Sequence, residues 1–228
     1  MEIVLNIKEM RDAKSERVAK LRELSATHGL PVSSCVLGEH NNGGIATWWR
    51  DINETSDEVR LAINWCVSLG AETLLLPFFF SNEPKGFTHR AVVVERLKPL
   101  CVYAAEKNVV IAYEGVQSAE QLLEMAKQID SPAFGVYYDP ANATWCDYDA
   151  AAELRLLGKL VRQMHIKDAQ VFTGDVPAGE GRVDWPAVAA ALNAIEFDRW
   201  LALETPPASI EQDIAFARRT FPGLSKNA

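Results

Sequence analysis

The chain has 228 residues and a mass of 25.2 kDa, which is within the range of a single α/β barrel domain. It contains 23 lysines and arginines against 31 aspartates and glutamates, so the net charge is −8. The basic residues are not clustered along the sequence. This composition argues against a nucleic-acid-binding protein, which would collect phosphates with clustered basic residues.

The sequence also lacks the features of a secreted or membrane protein. No apolar run reaches the roughly 18 residues that a spanning helix needs. The first residues lack the basic start, apolar block and small-residue cleavage site of a secretory signal, so we expect a cytoplasmic protein with no membrane partner. Four widely spaced cysteines predict small core residues rather than disulfides. They are Cys35, Cys66, Cys101 and Cys146.

Short β-rich runs alternate with longer helical stretches along the whole chain. Most of the strands are continuous apolar runs, as expected for strands covered on both faces. The predicted strands are Glu2–Ile7, Val32–Gly38, Thr73–Phe80, Val109–Val116, Phe134–Asp139, Gln163–Asp168 and Trp200–Thr205. The predicted helices are Ser15–His28, Ser56–Leu69, His89–Lys107, Ser118–Ile129, Asp149–Leu160 and Trp185–Ile195. Two helix ends have a left-handed glycine cap, Gly29 and Gly70, and residues 53–58 form a capped helix start.

This alternation, without a low-complexity linker, predicts one domain over residues 1–228 with a parallel sheet. An open dinucleotide-binding sheet should carry a glycine-rich turn after its first strand, but Lys8–Asp12 contains no glycine. Instead, polar residues lie at the carboxyl ends of successive predicted strands, which is the pattern expected at the mouth of a barrel. The sequence therefore predicts an α/β fold, a parallel (β/α) barrel of TIM type with seven recognisable strands. Either the barrel lacks its first βα unit, or the sequence starts too late to include it.

Four metal-competent residues lie at the ends of four successive predicted strands: Glu114, Asp139, His165 and Glu204. Such positions converge on one mouth of a barrel, where the three carboxylates would repel one another unless a cation neutralised them. Oxygen ligands with one histidine favour Mn²⁺, Mg²⁺ or Co²⁺, and Zn²⁺ is also compatible. Taken singly, each carboxylate could cap a helix and His165 could be a core histidine, but the conjunction favours one divalent-metal site.

The series Glu114, Asp139–Asn142, His165–Asp168, Gly179–Trp185 and Glu204-Thr205 resembles the xylose isomerase-like superfamily of sugar isomerases and epimerases. That superfamily also includes inosose and dehydroshikimate dehydratases and, more distantly, endonuclease IV. The likeness covers nearly the whole chain. It implies that the four strand-end residues hold one cation and that Glu114 and Glu204 act as bases on opposite faces of the substrate.

This chemistry has a physical basis that does not depend on the resemblance. Removing a proton next to a carbonyl places negative charge on the carbonyl oxygen; a cation stabilises the enediolate while a carboxylate takes the proton. The leading hypothesis is a metal-dependent sugar isomerase or epimerase that acts on a ketose or polyol-derived carbonyl compound. The alternatives are a metal-dependent dehydratase or lyase of inosose or dehydroshikimate type and a degenerate, non-catalytic sugar-binding barrel. Four histidines and the negative charge disfavour an endonuclease.

Four further residues are candidate substrate contacts: Lys167, Asn142, Glu180 and His40. Each has an alternative role. Lys167 could pair with Asp168 on the surface, and Asn142 could fix the turn after the strand. Glu180 could belong to a turn that begins the next helix, and His40 to a solvated loop.

Two features of the amino-terminal half leave alternatives open. Trp48 and Trp49 could form a hydrophobic wall over the sugar, or a packing or subunit contact. Without a first βα unit, a sheet edge beside Glu2–Ile7 needs covering, and a homodimer would supply that cover.

Overall fold

A computed structural model describes residues 1–12, 16–170 and 176–224. The described residues contain seven strands in a parallel sheet whose order is the sequence order. All seven predicted strands are therefore confirmed, although most are shorter than predicted. They are β1 (Glu2–Val4), β2 (Ser34–Val36), β3 (Thr73–Phe78), β4 (Val110–Gly115), β5 (Phe134–Tyr138), β6 (Val161–Ile166) and β7 (Leu201–Leu203).

The six predicted helices are also present, and the described residues form three more α-helices. The predicted ones are α2 (Arg17–His28), α3 (Ile52–Leu69), α4 (Gly86–Ala105), α5 (Ala119–Ile129), α7 (Ala150–Leu157) and α8 (Trp185–Ala194). The first residue of the predicted helix Ser15–His28 lies outside the described residues. The helices that the sequence did not predict are α1 (Ile7–Arg11), α6 (Pro140–Trp145) and α9 (Ile210–Thr220).

Helix capping explains where the predicted bounds were wrong. Ile7 was assigned to the first strand, but the Asn6 side chain accepts a hydrogen bond from Glu9 N and starts α1 there. Helix α3 begins before the predicted residues 53–58, because the Asp51 carboxylate accepts hydrogen bonds from the next backbone N–H groups. The predicted glycine caps are confirmed, with φ of 62° at Gly29 and 75° at Gly70.

The backbone contacts divide the chain into two compact units. The first comprises Met1–Gly115 and Glu124–Val136, and in it β1 to β4 pair in parallel over a buried apolar core. Three of the four cysteines are buried there as predicted, whereas Cys146, in the other unit, is partly exposed. The single domain predicted over residues 1–228 and the homodimer stay predictions.

The second unit comprises Val116–Leu123 and Tyr137–Ala228. Its strands β6 and β7 pair in parallel, with His165 opposite Ala202. Helices α7, α8 and α9 belong to this unit, and the aromatic rings of Trp185 and Phe216 join α8 to α9. Among the helices described in either unit, none has both the length and the apolar character that crossing a lipid bilayer requires.

A buried ionic network joins the loop after β2 to α3 in the first unit. Glu58 is almost fully buried and accepts hydrogen bonds from His40 Nε2 (3.1 Å), Arg50 (2.9 and 3.1 Å) and Arg11 (2.9 Å). Burial opposes ionisation of this carboxyl, but the bonds from His40 and Arg50 prevail and lower its pKa to about 2. Glu58 therefore stays ionised and holds the loop against the helix.

We expect Glu58→Gln to lower the free energy of unfolding at neutral pH by roughly 3 kcal/mol, because it removes a buried negative charge that accepts hydrogen bonds from two arginines and His40. The pKa of Glu58 in the folded chain lies below its ordinary value of 4.5. Its contribution is therefore complete above about pH 4.5 and is lost as the pH falls towards 2. Urea unfolding at several pH values should show the deficit of the variant shrinking through this interval.

Glu54 provides a matched control, because it pairs with the same Arg11 (3.5 Å) and Arg50 (3.2 Å) but its side chain is 47% exposed. Glu54→Gln should cost less than about 1 kcal/mol. Equal losses in the two variants, or a deficit of Glu58→Gln that is constant with pH, would contradict this account of the network.

Candidate metal centre

Asp139 uses its two carboxylate oxygens differently. It follows β5 and caps α6, with Oδ1 accepting hydrogen bonds from Ala141 N (2.8 Å) and Asn142 N (3.2 Å). Pro140 at the first helical position favours this turn. The Oδ2 atom is buried and accepts no hydrogen bond, although Lys167 Nζ lies 3.2 Å away. One oxygen therefore fixes the turn, and the other, which accepts no hydrogen bond and has Lys167 as its ion-pair partner, can bind a cation.

His165 and Glu204 meet at the ends of β6 and β7. His165 is buried, its ring packs at 4.4 Å from the Tyr137 ring, and its Nδ1 lies 3.3 Å from Glu204 Oε2. The backbone N–H of Glu204 donates to Ile166 O at 3.1 Å, which extends the strand pairing by one residue and fixes the direction of the side chain. About half of that side chain is exposed, so a substrate can reach its carboxylate.

Glu114 lies within β4 and is buried, opposite Pro77 of β3. Glu114, Asp139, His165 and Glu204 each offer one ligand atom, and these atoms all lie within 4.8 Å of one another. The four predicted ligands thus form a candidate metal-binding group.

The chemistry of this group fits a divalent cation. Three carboxylates with the single ammonium of Lys167 leave an excess of two negative charges, which one divalent ion would balance. Three oxygen donors and one imidazole nitrogen, without a thiolate, are the donor set of Mn²⁺, Mg²⁺ or Co²⁺, and Zn²⁺ also accepts it. The buried Oδ2 of Asp139 gives this fit an independent structural basis. The identity of the ion stays a prediction.

Two of the four predicted substrate contacts lie beside these ligands. Lys167 Nζ donates to Glu204 Oε2 at 3.2 Å and lies 3.5 Å from the side-chain oxygen of Asn142. The lysine therefore contacts the candidate ligands, whereas Asp168, its partner in the alternative role, accepts hydrogen bonds from the loop that follows β6. Asn142 is buried, and its backbone N–H fixes the turn of Asp139, as the alternative for this residue proposed. Contact of either side chain with a substrate stays a prediction.

Asp168 anchors the loop between β6 and α8. Its Oδ1 accepts from Ala169 N (2.9 Å) and Val183 N (3.2 Å), and its Oδ2 accepts from Gly179 N (2.9 Å) and Trp185 Nε1 (2.7 Å). The carboxylate thus fastens three points of the loop to the end of β6. The predicted loop Ala169–Asp184 also contains residues 171–175, which lie outside the described residues.

Glu180, the third predicted substrate contact, is held in this loop from α9. Gln212 Nε2 donates to Glu180 Oε1 at 2.8 Å. The buried Asp213 accepts from Ala178 N (2.8 Å) and Ser209 Oγ (2.7 Å), and so fixes the preceding turn. Sequence reasoning missed Gln212 and Asp213 because it predicted no helix there. The acid-rich first turn of α9 and the basic residues of its last turn were the available signal.

His40, the fourth predicted substrate contact, is not in a solvated loop. Its side chain is 1% exposed, and its Nε2 donates to Glu58. The structure therefore assigns His40 to the buried ionic network, and a contact with substrate stays a prediction.

We expect Gly181→Ala to lower the free energy of unfolding by roughly 2 kcal/mol, because a Cβ at this position would lie 1.9 Å from Asp168 Oδ1. The loop must then move away from its anchor. Thermal unfolding should show the loss, and amide hydrogen exchange at Gly179 and Val183 should accelerate. Gly223→Ala is the control, because a Cβ there meets nothing within 4 Å. Equal stability of the two variants would show that Asp168 does not fix the loop.

Comparison with known proteins shows one family along almost the entire chain. The model of the xylose isomerase-like TIM barrel family matches residues 3–220. A protein of Escherichia coli (strain K12), named "Putative L-ribulose-5-phosphate 3-epimerase SgbU", is 26% identical over 185 residues, which cover 74% of this chain. The match spans 64% of the length of that relative.

Solved structures of low sequence identity share the fold. The xylose isomerase domain protein from Planctomyces limnophilus has a TM-score of 0.77 and 21% identity, over 99% of this chain and 88% of that one. A structure of L-ribulose 3-epimerase has a TM-score of 0.80 and 16% identity, over 99% and 84%. The seven parallel strands, the family model and these structures confirm the predicted barrel fold and the predicted family.

Proposed function

The chain belongs to the xylose isomerase-like TIM barrel family, and we propose that it is a divalent-metal-dependent sugar isomerase or epimerase. The grouping of Glu114, Asp139, His165 and Glu204 carries the proposal. The buried Oδ2 of Asp139 supports it, because this oxygen accepts no hydrogen bond and its ion-pair partner is the Lys167 ammonium, so a metal cation could also bind there. The sugar-epimerase names of the similar proteins support the substrate class.

The two glutamates would move the proton. A bound divalent cation would stabilise the negative charge that develops on the substrate oxygen. Glu204 is positioned as one base, since its carboxylate is half exposed and His165 and Lys167 hold it from two sides. Glu114 would act from the opposite face of the substrate. Removal by one carboxylate and return by the other inverts a carbon, whereas return to the neighbouring carbon moves the carbonyl.

Lys167 and Asn142 would orient the substrate. The ammonium of Lys167 already lies between the carboxylates of Asp139 and Glu204, and a hydroxyl beside the reacting carbon could accept a hydrogen bond from it in place of one of these partners. Asn142 is adjacent to it and offers both a donor and an acceptor. Two such contacts fix which carbon faces the bases, and a small displacement would slow the reaction greatly.

Incubation of the Mn²⁺-loaded protein with a panel of ketoses and keto-glycosides in D₂O tests the proposal. We expect deuterium at the carbon next to the carbonyl, with an epimeric or isomeric sugar as product, and no exchange in excess EDTA. Elimination with a new enone absorbance would instead support the dehydratase alternative. Metal binding without exchange or elimination on any sugar of the panel would support the non-catalytic alternative.

A further inference from the structure

Three aromatic side chains of the first unit are exposed to an unusual degree. Trp48 is 82%, Trp49 53% and Phe80 65% exposed. The two tryptophan rings lie edge to face with their centroids 5.6 Å apart. We call these three residues the aromatic platform. Exposed apolar surface of this kind is costly in water and usually marks a place where a ligand or a partner binds.

The loops that carry the platform are fixed to each other. They are residues 37–51, which follow β2, and residues 79–85, which follow β3. Ser81 Oγ donates to Asn41 O at 2.9 Å, and Ala46 N donates to the side-chain oxygen of Asn82 at 2.8 Å. The buried Asn82 in turn donates to Pro77 O at 2.7 Å. The platform therefore rests on an ordered backbone.

Helix α4 holds the backbone directly before the tryptophan pair. His89 Nε2 donates to Ala46 O at 2.6 Å, and Arg96 NH1 donates to Ile45 O (2.7 Å) and Thr47 O (3.0 Å). A surface whose backbone is already ordered loses little conformational entropy when it binds a ligand.

The backbone of Phe80 is strained. Its φ is 49°, in the left-handed region that a bulky residue rarely adopts. Glycine or asparagine would adopt this φ with less strain. Strain of this kind is concentrated at binding and catalytic positions, where it orients a side chain.

The platform lies at the end of the sheet where Glu114 lies. Val36 at the end of β2 pairs with Leu75, and Pro77 near the end of β3 pairs with Glu114 of β4. Both loops therefore leave the carboxyl ends of strands that are next to, or one removed from, the strand of Glu114. Loops at these ends bind the substrate in this class of fold.

The charges of the two loops favour an uncharged ligand. Each of their basic side chains faces a carboxylate: His40 and Arg50 contact Glu58, and Lys85 lies 4.0 Å from Glu83. A phosphate would have to compete with these carboxylates. The rings instead offer flat, negatively polarised faces.

We propose that the aromatic platform stacks against the apolar face of a pyranose ring, so that the substrate is a glycoside with a keto group on its ring rather than an open-chain sugar phosphate. The C–H bonds on one face of a pyranose are weakly positive and match the π face of indole. This inference rests on the proposed function: the platform would hold one sugar ring while the reacting carbons face Glu114.

Binding of methyl α-D-glucopyranoside, which has no free carbonyl, tests the platform without turnover. We expect saturable binding by isothermal titration and saturation-transfer NMR in the presence of EDTA. Trp48→Ala and Trp49→Ala should each weaken it roughly tenfold. Trp200→Ala, at a less exposed tryptophan before β7, should leave it unchanged. Because neither metal nor catalysis is needed, the outcome is separate from that of the D₂O experiment.

Phe80→Gly keeps the test valid if a tryptophan variant folds poorly. It removes the ring and relieves the positive φ, so we expect binding to weaken with no loss of thermal stability. Three outcomes would overturn the proposal: no saturable binding by the unaltered protein, equal affinity in the platform variants, or a change from dimer to monomer in those variants by light scattering. The last result would make the platform a subunit contact.

Discussion

Asp139→Asn should weaken Mn²⁺ binding at least about 100-fold and leave the fold intact. The asparagine oxygen can still accept the hydrogen bonds from Ala141 N and Asn142 N, so helix α6 keeps its cap. The amide nitrogen then replaces the buried Oδ2, the atom that accepts no hydrogen bond in the native protein. A donor in that place repels a cation. Isothermal titration with Mn²⁺ measures the effect, and circular dichroism verifies the fold.

The chain offers a closely matched control in Asp149. Its carboxylate caps α7 by accepting from Ala152 N at 2.9 Å, and it does not belong to the candidate ligand group. Asp149→Asn makes the same chemical change at a similar capping position and should leave Mn²⁺ affinity unchanged. If the two variants bound Mn²⁺ equally well, Asp139 would be a helix cap alone.

Glu204→Gln should lower kcat by roughly 10²- to 10⁴-fold, the usual contribution of a general base. The glutamine oxygen can still ligate a metal, but a neutral amide cannot accept the substrate proton. The measurement is therefore made at a Mn²⁺ concentration that saturates the variant, with occupancy determined by elemental analysis. Deuterium exchange into the substrate should slow by the same factor as turnover, because both depend on proton removal.

Glu211→Gln is the control for this variant, since Glu211 is an exposed glutamate in the first turn of α9. Its turnover should match that of the native protein. A Glu204→Gln protein that binds Mn²⁺ and retains its turnover would show that Glu204 is a ligand without a role in proton transfer.

The candidate ligands could be predicted from the sequence because their positions follow from the pattern of apolar and polar residues in each strand. A buried parallel strand is a continuous apolar run, and its carboxyl end is marked by the first polar residue. Glu114, Asp139 and Glu204 each occupy such a position, and His165 lies one residue before the end of β6. The strands were predicted for the same reason, and the parallel arrangement then brings their ends together.

The surroundings of the ligands could not be predicted, because they depend on partners distant in sequence. A surface pair of Asp168 with its neighbour Lys167 was one alternative from the sequence, but the oxygens of Asp168 accept hydrogen bonds from donors as far along the chain as Trp185 Nε1. Glu58 accepts hydrogen bonds from Arg11 and His40, and no periodic pattern in the sequence links these three residues. Helix α6 has only six residues, too few to show a periodic pattern in the sequence. Its capping residue, Asp139, was therefore identified only as a candidate ligand.

Anomalous scattering from a crystal of the Mn²⁺-loaded protein, combined with elemental analysis, tests the central claim most directly. We predict one manganese per chain, with its anomalous peak within coordination distance of Glu114, Asp139, His165 and Glu204. A peak elsewhere in the molecule, or a protein that retains no metal at saturating Mn²⁺, would contradict the assignment of these four residues as a metal centre.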